Sequence, residues 1–375
     1  MVGEDRVKKI LLYGDFSNYN VNLSKALREL GYSVDVASTG DGFKKTVADI
    51  TLNWAVYWNI KGQIRLLKQF KNFLKEYELI QVIAPYSLPV VLQIYLSISN
   101  IFFRKKYKIF SSIVGCDYIF WTTGRKVLGI SLFDEVEKYG ESSINRIRDK
   151  LRSFLTRSFV RGYIGMPEYY YSYKADAKYR NKPIALTLAA ANIKHKYEEI
   201  GFDRFTEKDK LVFFHGIPKG REGFKGSHHI KAAFDIAKEK YKDFAEFITA
   251  TSVPYDEYIE IMNKTDVIFD QTNGHTYGMA ALEAIEAGKI VASCSQDKGF
   301  WDKISQDIDL EFIPKIYSLK PDADFILSQI NKIIADKQKL PDIAKHNRKF
   351  VEKYHDPKLI AQRHLDFWQD NMVKK

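Results

Sequence analysis

Apolar and polar positions along this chain switch repeatedly between a period of two and a helical period. Val7–Tyr13 (VKKILLY) is a short apolar run closed by the turn 14–20. Val21–Leu30 then repeats its apolar positions at helical spacing, and Tyr32–Ala37 (YSVDVA) alternates residue by residue. Strand, glycine turn, helix and strand in that order open a parallel sheet, because a helical crossover returns the chain to the same edge. The alternation continues with a helix over Ile60–Tyr77, a strand at Leu79–Ala84, a helix from about Pro89 and a strand at Tyr107–Val114. A basic helical stretch follows over Ser131–Val160, then a short strand at Ile164–Met166. Tyr169–Tyr173, with Lys182 and Pro183 after it, reads as a linker. Ile184–Leu188 and an aperiodic polar segment, Asn192–Arg204, close the first half.

A second alternating set begins at Lys210–Phe214 (KLVFF). It runs through the loop His215–Phe224, a helix from about Gly226 to Lys238, and a strand at Phe247–Ser252. A helix at Tyr255–Asn263, a strand at Val267–Asp270, a helix over Gly278–Ala287 and a strand at Lys289–Ser293 complete it. The fold class is therefore α/β, with two Rossmann-like halves, and ligands are expected beyond the carboxyl ends of the strands. The last helix, about Pro341–Gln369, is long and mixed in charge. No tandem repeat or low-complexity tract is present.

The 375 residues are 45% apolar and 14% aromatic, enough for two ordinary cores. Cys116 and Cys294 stand far apart and support neither a disulfide framework nor a cysteine metal site, so a reducing, cytoplasmic setting is expected. The first nine residues are charged and lack the apolar core of a signal peptide. Leu79–Phe103 carries no charge, but Pro85, Pro89, Gln81, Gln93 and Asn100 make it a buried strand, a turn and a core helix rather than a membrane span.

The net charge of +11 is one-sided: residues 1–200 hold 31 Lys+Arg against 19 Asp+Glu, and the remainder 27 against 28. An anionic surface or substrate is expected to meet the first half. Phe102–Lys108 (FFRKKYK) and Ile144–Arg161 mix cations with apolar side chains as interfacial helices do, a pattern shared with solvated helices covering a core. Basic charge also admits a nucleic-acid partner, but no recognition motif accompanies it, and none is expected.

Two segments carry candidate chemistry. The loop HGIPKGREGFKG, His215–Gly226, joins strand to helix with Gly216, Gly220, Gly223 and Gly226 beside Lys219, Arg221 and Lys225. Glycines admit a close ligand, the helix N-terminus offers N–H groups, and the cations balance a diphosphate; a solvated turn has the same composition. In DQTNGHTYGMAALEAIEAG, Asp270–Gly288, a strand again passes through glycines into a helix, with Glu283 in its second turn. A carboxylate there can accept two ribose hydroxyls, or serve as a plain helix-surface acid. Gly14 and Asp117 end strands of the first half, where a substrate would lie; Asp117 suits an acceptor hydroxyl or a turn. Asp322 and Asp324 form a D-x-D pair in a polar loop, with little weight as a metal motif. His228 and His229 are adjacent on a helix, are expected to point apart, and make a poor ligand pair.

Together the two segments resemble retaining GT-B glycosyltransferases of glycosyltransferase family 4 over about residues 210–295. Lys225-Gly226 matches the family's Lys-Gly, and Gly278 through Glu283 to Gly288 matches its loop, helix and second Glu. The resemblance implies two Rossmann-like domains facing a cleft: 1–195 for the acceptor, 205–345 for the donor, and 346–375 returning to the first. It implies a hexosyl transfer with retention from a UDP- or GDP-linked sugar to a glycan or lipid-linked acceptor, without a metal, in surface polysaccharide or lipopolysaccharide assembly. By the same resemblance Lys225, with Arg221 or Lys219, and the N–H groups near Tyr277 and Gly278 meet the diphosphate, and Glu283 the ribose. His275 stands where the family has its first Glu, against the donor sugar, which leaves the sugar open. The family's Arg position is held by Gly220 and Lys219, with Arg221 one step off. A sugar-nucleotide epimerase or a catalytically silent relative would share the fold.

Overall fold

The computed structural model describes residues 9–40, 48–52, 59–84, 86–103, 107–115, 117–129, 132–133, 135–136, 146–191, 201–217, 220, 222–251, 253–294 and 298–372. They divide into two compact units. The first takes in the described residues up to Val127, from Arg146 to Ala191 and from Pro357 onward; the second takes in Leu128–Val136 and Gly201–Asp356.

The first unit is built on seven parallel strands: β1 (Lys9–Tyr13), β2 (Ser33–Ser38), β3 (Ile50–Thr51), β4 (Leu79–Val82), β5 (Ile109–Ile113), β6 (Tyr163–Gly165) and β7 (Ile184–Leu186). Their spatial order is β3-β2-β1-β4-β5-β6-β7, the doubly wound order, which reverses direction between β1 and β4. β1, β4 and β5 are buried on both faces or nearly so, which is why apolar residues dominate them without alternation and why Gln81, Ser111 and Ser112 among them are buried too. The uncharged stretch resolves as expected into β4 and a helix, Val90–Phe103. Among the described residues no helix is long and apolar enough to cross a membrane.

The second unit has five parallel strands, β8 (Leu211–Ile217), β9 (Ala245–Thr251), β10 (Val267–Phe269), β11 (Ile290–Ser293) and β12 (Tyr317–Ser318), in the order β12-β11-β10-β8-β9. Counted within the unit this is 2-1-3-4-5, whose switch point falls between β8 and β10. Phe213, Phe247, Phe234 and Phe269 pack ring to ring beneath the sheet, with centroids 4.8 to 6.0 Å apart. Aromatic pairs of this kind add to the burial of their area and hold β8, β9 and β10 in register.

Several elements differ from the sequence reading. Within Ser131–Val160 the helix covers Arg146–Phe159, and residues 132–133 and 135–136 are turns. Tyr169–Tyr173 is no linker but part of a helix, Pro167–Ala175: Pro167 presets its first turn, and Tyr170 and Tyr173 are buried. Asp322 is the N-cap of the helix Ala323–Ala335, accepting the Phe325 N–H at 2.9 Å, so the D-x-D pair belongs to a helix start rather than a loop. The last helix is two, Leu340–Tyr354 and Pro357–Met372, because Pro357 cannot continue a helix yet can open one. The second of these lies in the first unit. There Trp368 Nε1 donates to Gln81 Oε1 at 3.0 Å, and Phe367 meets Phe110 with centroids 5.8 Å apart.

Candidate functional site

Both glycine-bearing loops leave the second sheet at the carboxyl ends of β8 and β10, the strands that flank its switch point. After β8, Glu222–Lys225 makes one helical turn, and Gly226 leads into the helix Ser227–Lys240. Gly226 has φ +61°, and a Cβ there would stand 1.9 Å from Thr272 Oγ1, so the backbone and the space both demand glycine. That close approach knits the loops together. The Thr272 N–H donates to the Lys225 carbonyl at 2.9 Å, and Asn273 Nδ2 donates to the Gly223 carbonyl at 2.9 Å.

The joint between the two segments is Asp270, directly after β10. Its side chain is fully buried; Oδ1 accepts Lys225 Nζ at 2.7 Å and Oδ2 accepts the Gly278 N–H at 2.7 Å. Burial by itself would raise this carboxyl, but the Lys225 ammonium and the Gly278 N–H outweigh it and hold Asp270 below the usual carboxylate range. A Cβ at 278 would come within 3.1 Å of Asp270 Oδ2, so glycine is also what admits this N–H to the carboxylate. The Lys225 side chain keeps a quarter of its surface exposed.

Gly278 caps the helix Met279–Glu286 with no side chain over its end. Glu283, in the second turn, is 8% exposed, which excludes the reading as an ordinary surface acid. Tyr277 is buried, its hydroxyl 2.8 Å from His355 Nε2 and its ring stacked on Trp301; burial pushes its phenol well up. It offers the site backbone rather than side chain, and the Gly278 N–H is already engaged by Asp270. His275 is buried, donates from Nε2 to the Leu128 carbonyl at 2.7 Å, and has its ring 4.9 Å from that of Phe300. Gly216 lies inside β8, opposite Ala250 of β9, rather than in the loop. Lys219 and Arg221 lie outside the described residues.

His215 also belongs to β8. Its Nδ1 is 2.8 Å from the Phe269 carbonyl, which can only accept, so Nδ1 carries the proton. Burial pushes the imidazole down to about 4, with the nearby Lys225 charge acting in the same direction, and His215 is neutral at neutral pH.

The other candidates lie in the first unit. Gly14 ends β1, next to the switch point; its N–H donates to the Ala37 carbonyl at 2.7 Å and its carbonyl accepts Asn20 Nδ2 at 2.7 Å. Asp117 is buried and accepts the Phe120 N–H at 2.8 Å and the Tyr173 hydroxyl at 2.6 Å, in the manner of a turn-forming acid. Burial lifts it to about 6 against the pull of those two donors.

His228 and His229 do not point apart. Their ring centroids are 3.9 Å apart, and Glu135 Oε1 lies 2.7 Å from His229 Nε2 and 3.4 Å from His228 Nε2. At the first turn of a helix two neighbouring rings can lean together toward one partner, and Glu135, far away in sequence, supplies it. Glu135, Asn273 and Asp270 are the residues that sequence reasoning passed over. Only Asp270 carried a local signal, as an acid immediately following a buried strand.

No family model matches the sequence, and no curated protein does. Solved structures match over nearly the whole chain. Anabaena HepE in complex with UDP-glucose is 15% identical, with 96% of this chain and 99% of that one covered and a TM-score of 0.60. Sucrose-phosphate synthase from Thermosynechococcus elongatus is 13% identical, with coverage of 98% and 99% and a TM-score of 0.59. The catalytic domain of starch synthase IV from Arabidopsis thaliana, bound to ADP and acarbose, is 9% identical, with coverage of 98% and 100% and a TM-score of 0.59. The chain has the α/β architecture of these GT-B structures, two parallel sheets with their helices.

Proposed function

We propose that this protein is a glycosyltransferase that draws its sugar from a nucleoside diphosphate donor held by the second unit. The observation that carries the reading is Asp270, which ties the cation Lys225 and the helix start at Gly278 into one rigid joint at the switch point. The structures with UDP-glucose in HepE and ADP in starch synthase support a donor of this class on this architecture. Lys225 is the group that meets the charge developing on the departing diphosphate, with Lys219 or Arg221 as the second cation. Glu283 accepts the ribose hydroxyls, and His275 stands beside the donor sugar. The bond that breaks joins the anomeric carbon to the β-phosphate oxygen, and the acceptor hydroxyl enters from the same face and passes its proton to the departing diphosphate, giving retention without a protein-held metal in the transfer itself. Gly14, at the switch point, places the acceptor, a glycan or lipid-linked sugar of surface polysaccharide assembly, on the first unit, and Asp117 shapes the turn beside it through Phe120 and Tyr173.

Calorimetry with UDP, GDP and ADP tests the nucleotide half without any acceptor. Glu283→Gln keeps the shape and replaces a charged acceptor by an amide, so nucleotide binding is expected to weaken by about 1.5 to 3 kcal/mol. Unchanged affinity in this variant would remove Glu283 from the ribose. Transfer of labelled sugar to an acceptor then separates a transferase from an epimerase, whose product stays on the nucleotide.

The acceptor class connects with a surface of the first unit, which we assign to an anionic membrane at the cytoplasmic face. The helix Val90–Phe103 exposes Ile94, Ile98, Ile101 and Phe102 at helical spacing, and Phe103 beside them. The helix Arg146–Phe159 exposes Ile147, Leu151 and Phe154 in the same way. Hydrogen bonds tie the two together, from Ser97 Oγ to the Leu155 carbonyl at 3.1 Å and from Asn100 Nδ2 to the Ser158 carbonyl at 2.6 Å. Two packed helices that each turn an apolar stripe to solvent, among Arg148, Lys150 and Arg157, have the composition of an interfacial surface. Liposomes containing anionic lipid are expected to retain the protein more than tenfold better than neutral ones, and the difference should shrink in Phe102→Ser/Phe154→Ser. Equal partitioning on both lipids would refute the assignment.

A further inference from the structure

We infer that Glu135, His228 and His229 form a site for a divalent transition-metal cation, Zn2+ first among them. The three ligand atoms come from two distant stretches of the second unit and all lie within 4.8 Å of one another. Four ligands at tetrahedral Zn2+, with bonds near 2.0 to 2.1 Å, stand about 3.3 Å apart. Glu135 Oε1 is 3.4 Å from His228 Nε2, already such an edge, and 2.7 Å from His229 Nε2, which must lengthen by about 0.6 Å, while the two imidazoles, their ligand atoms within 4.8 Å of each other, adjust to the same edge. Two imidazole nitrogens and one carboxylate oxygen are the donor set that borderline cations favour, and Ca2+ or Mg2+, which prefer oxygen alone, are excluded by it.

The surroundings are arranged as a supporting shell. Asn273 Nδ2 is 3.4 Å from the second Glu135 oxygen, Oε2, and also donates to the Gly223 carbonyl, so the carboxylate is held from behind by the loop after β10, itself anchored to the loop that carries Lys225. Both imidazoles start a helix whose N-terminal N–H groups repel a cation, and the negative charge of Glu135 offsets this, giving a bound Zn2+ a net charge of +1 with its ligands. With three protein ligands, the fourth position is left for water or an oxyanion. The metal would clip the segment of Glu135 onto the helix Ser227–Lys240, and the assignment is independent of the glycosyl-transfer reading.

The test uses the full, tag-free chain, stripped with a chelator and titrated with Zn2+ in competition with a chromophoric chelator. The parent is expected to take one equivalent. Glu135→Gln and His229→Ala should each bind at least tenfold more weakly, and Zn2+ should raise the melting temperature of the parent but not of these variants. Glu135→Gln is nearly isosteric, and circular dichroism checks that each variant is folded. X-ray absorption at the zinc edge of the loaded parent should show two imidazoles and only nitrogen and oxygen ligands. Failure of the parent to compete for Zn2+, equal binding by folded Glu135→Gln, or sulfur scattering from a cysteine would each overturn the site.

Discussion

Lys225→Ala is expected to lower the maximal rate of sugar transfer by about a hundredfold, the scale on which a single preorganised group facing transition-state charge acts. Lys225 is held by a fully buried carboxylate, with a quarter of its side chain open, so its ammonium is fixed in place before any ligand arrives. A cation fixed in this way need not reorganise as the β-phosphate oxygen gains charge, which is why its contribution falls on the rate more than on ground-state binding. The variant should therefore lose kcat with a much smaller change in the affinity for nucleoside diphosphate. Single-turnover transfer measured beside calorimetry makes the separation. A variant that transferred at the parent rate would place the donor phosphates elsewhere and take the proposed function of the second unit with it.

How much of this was legible beforehand follows from where each signal resides. Strands β1, β4, β8 and β10 announce themselves because parallel strands are covered on both faces and gather apolar residues without alternation, as in Ile10–Tyr13, Leu211–Phe214 and Val267–Phe269. Two loops at strand ends could be named from glycine and lysine alone, since a tight turn and a cation are local properties. The linker misreading at Tyr169–Tyr173 arose because tyrosine has no strong local preference, and only the burial of Tyr170 and Tyr173 decides that the segment is a helix. Asp322 was legible as an N-cap in principle, since a carboxylate three residues before an amide that needs a partner is a local motif.

That the two loops meet at one sheet edge was legible, but the side chains that tie them together were beyond sequence for a different reason. Glu135 meets His229 across 94 positions, and Asp270 meets Lys225 across 45. Nothing in the composition around Glu135 distinguishes it from the chain's many exposed acids, because its role and its partial burial are set by two residues it approaches only when the unit is folded. The adjacency of His228 and His229 was even misleading, since the rule that neighbours diverge on a helix describes Cβ directions and not where flexible rings end. The register of β8 on β10 brings the two loops to one sheet edge, and Thr272 and Gly226 then set their spacing.

The same ion pair leads to an ordering of stabilities. Removing Lys225 should cost more than neutralising Asp270, because the partners differ in access to water: the aspartate side chain is fully buried, the lysine a quarter exposed. In Lys225→Ala the Asp270 carboxylate keeps the Gly278 N–H but loses its counter-charge, a loss of about 3 kcal/mol, near the low end for a broken buried pair because the space left by a quarter-exposed lysine admits some water. In Asp270→Asn the lysine turns outward and rehydrates, the amide oxygen still accepts from Gly278, and the loss should be about 1 kcal/mol. The double variant Lys225→Ala/Asp270→Asn should then be more stable than Lys225→Ala alone, since the uncompensated charge is gone, although it has lost more native contacts. Urea unfolding followed by circular dichroism, at one pH and salt concentration for all four proteins, reads this order directly. If the double variant unfolds at lower urea than Lys225→Ala, the buried carboxylate is not the source of the loss, and Asp270 is not the joint that holds the two loops together.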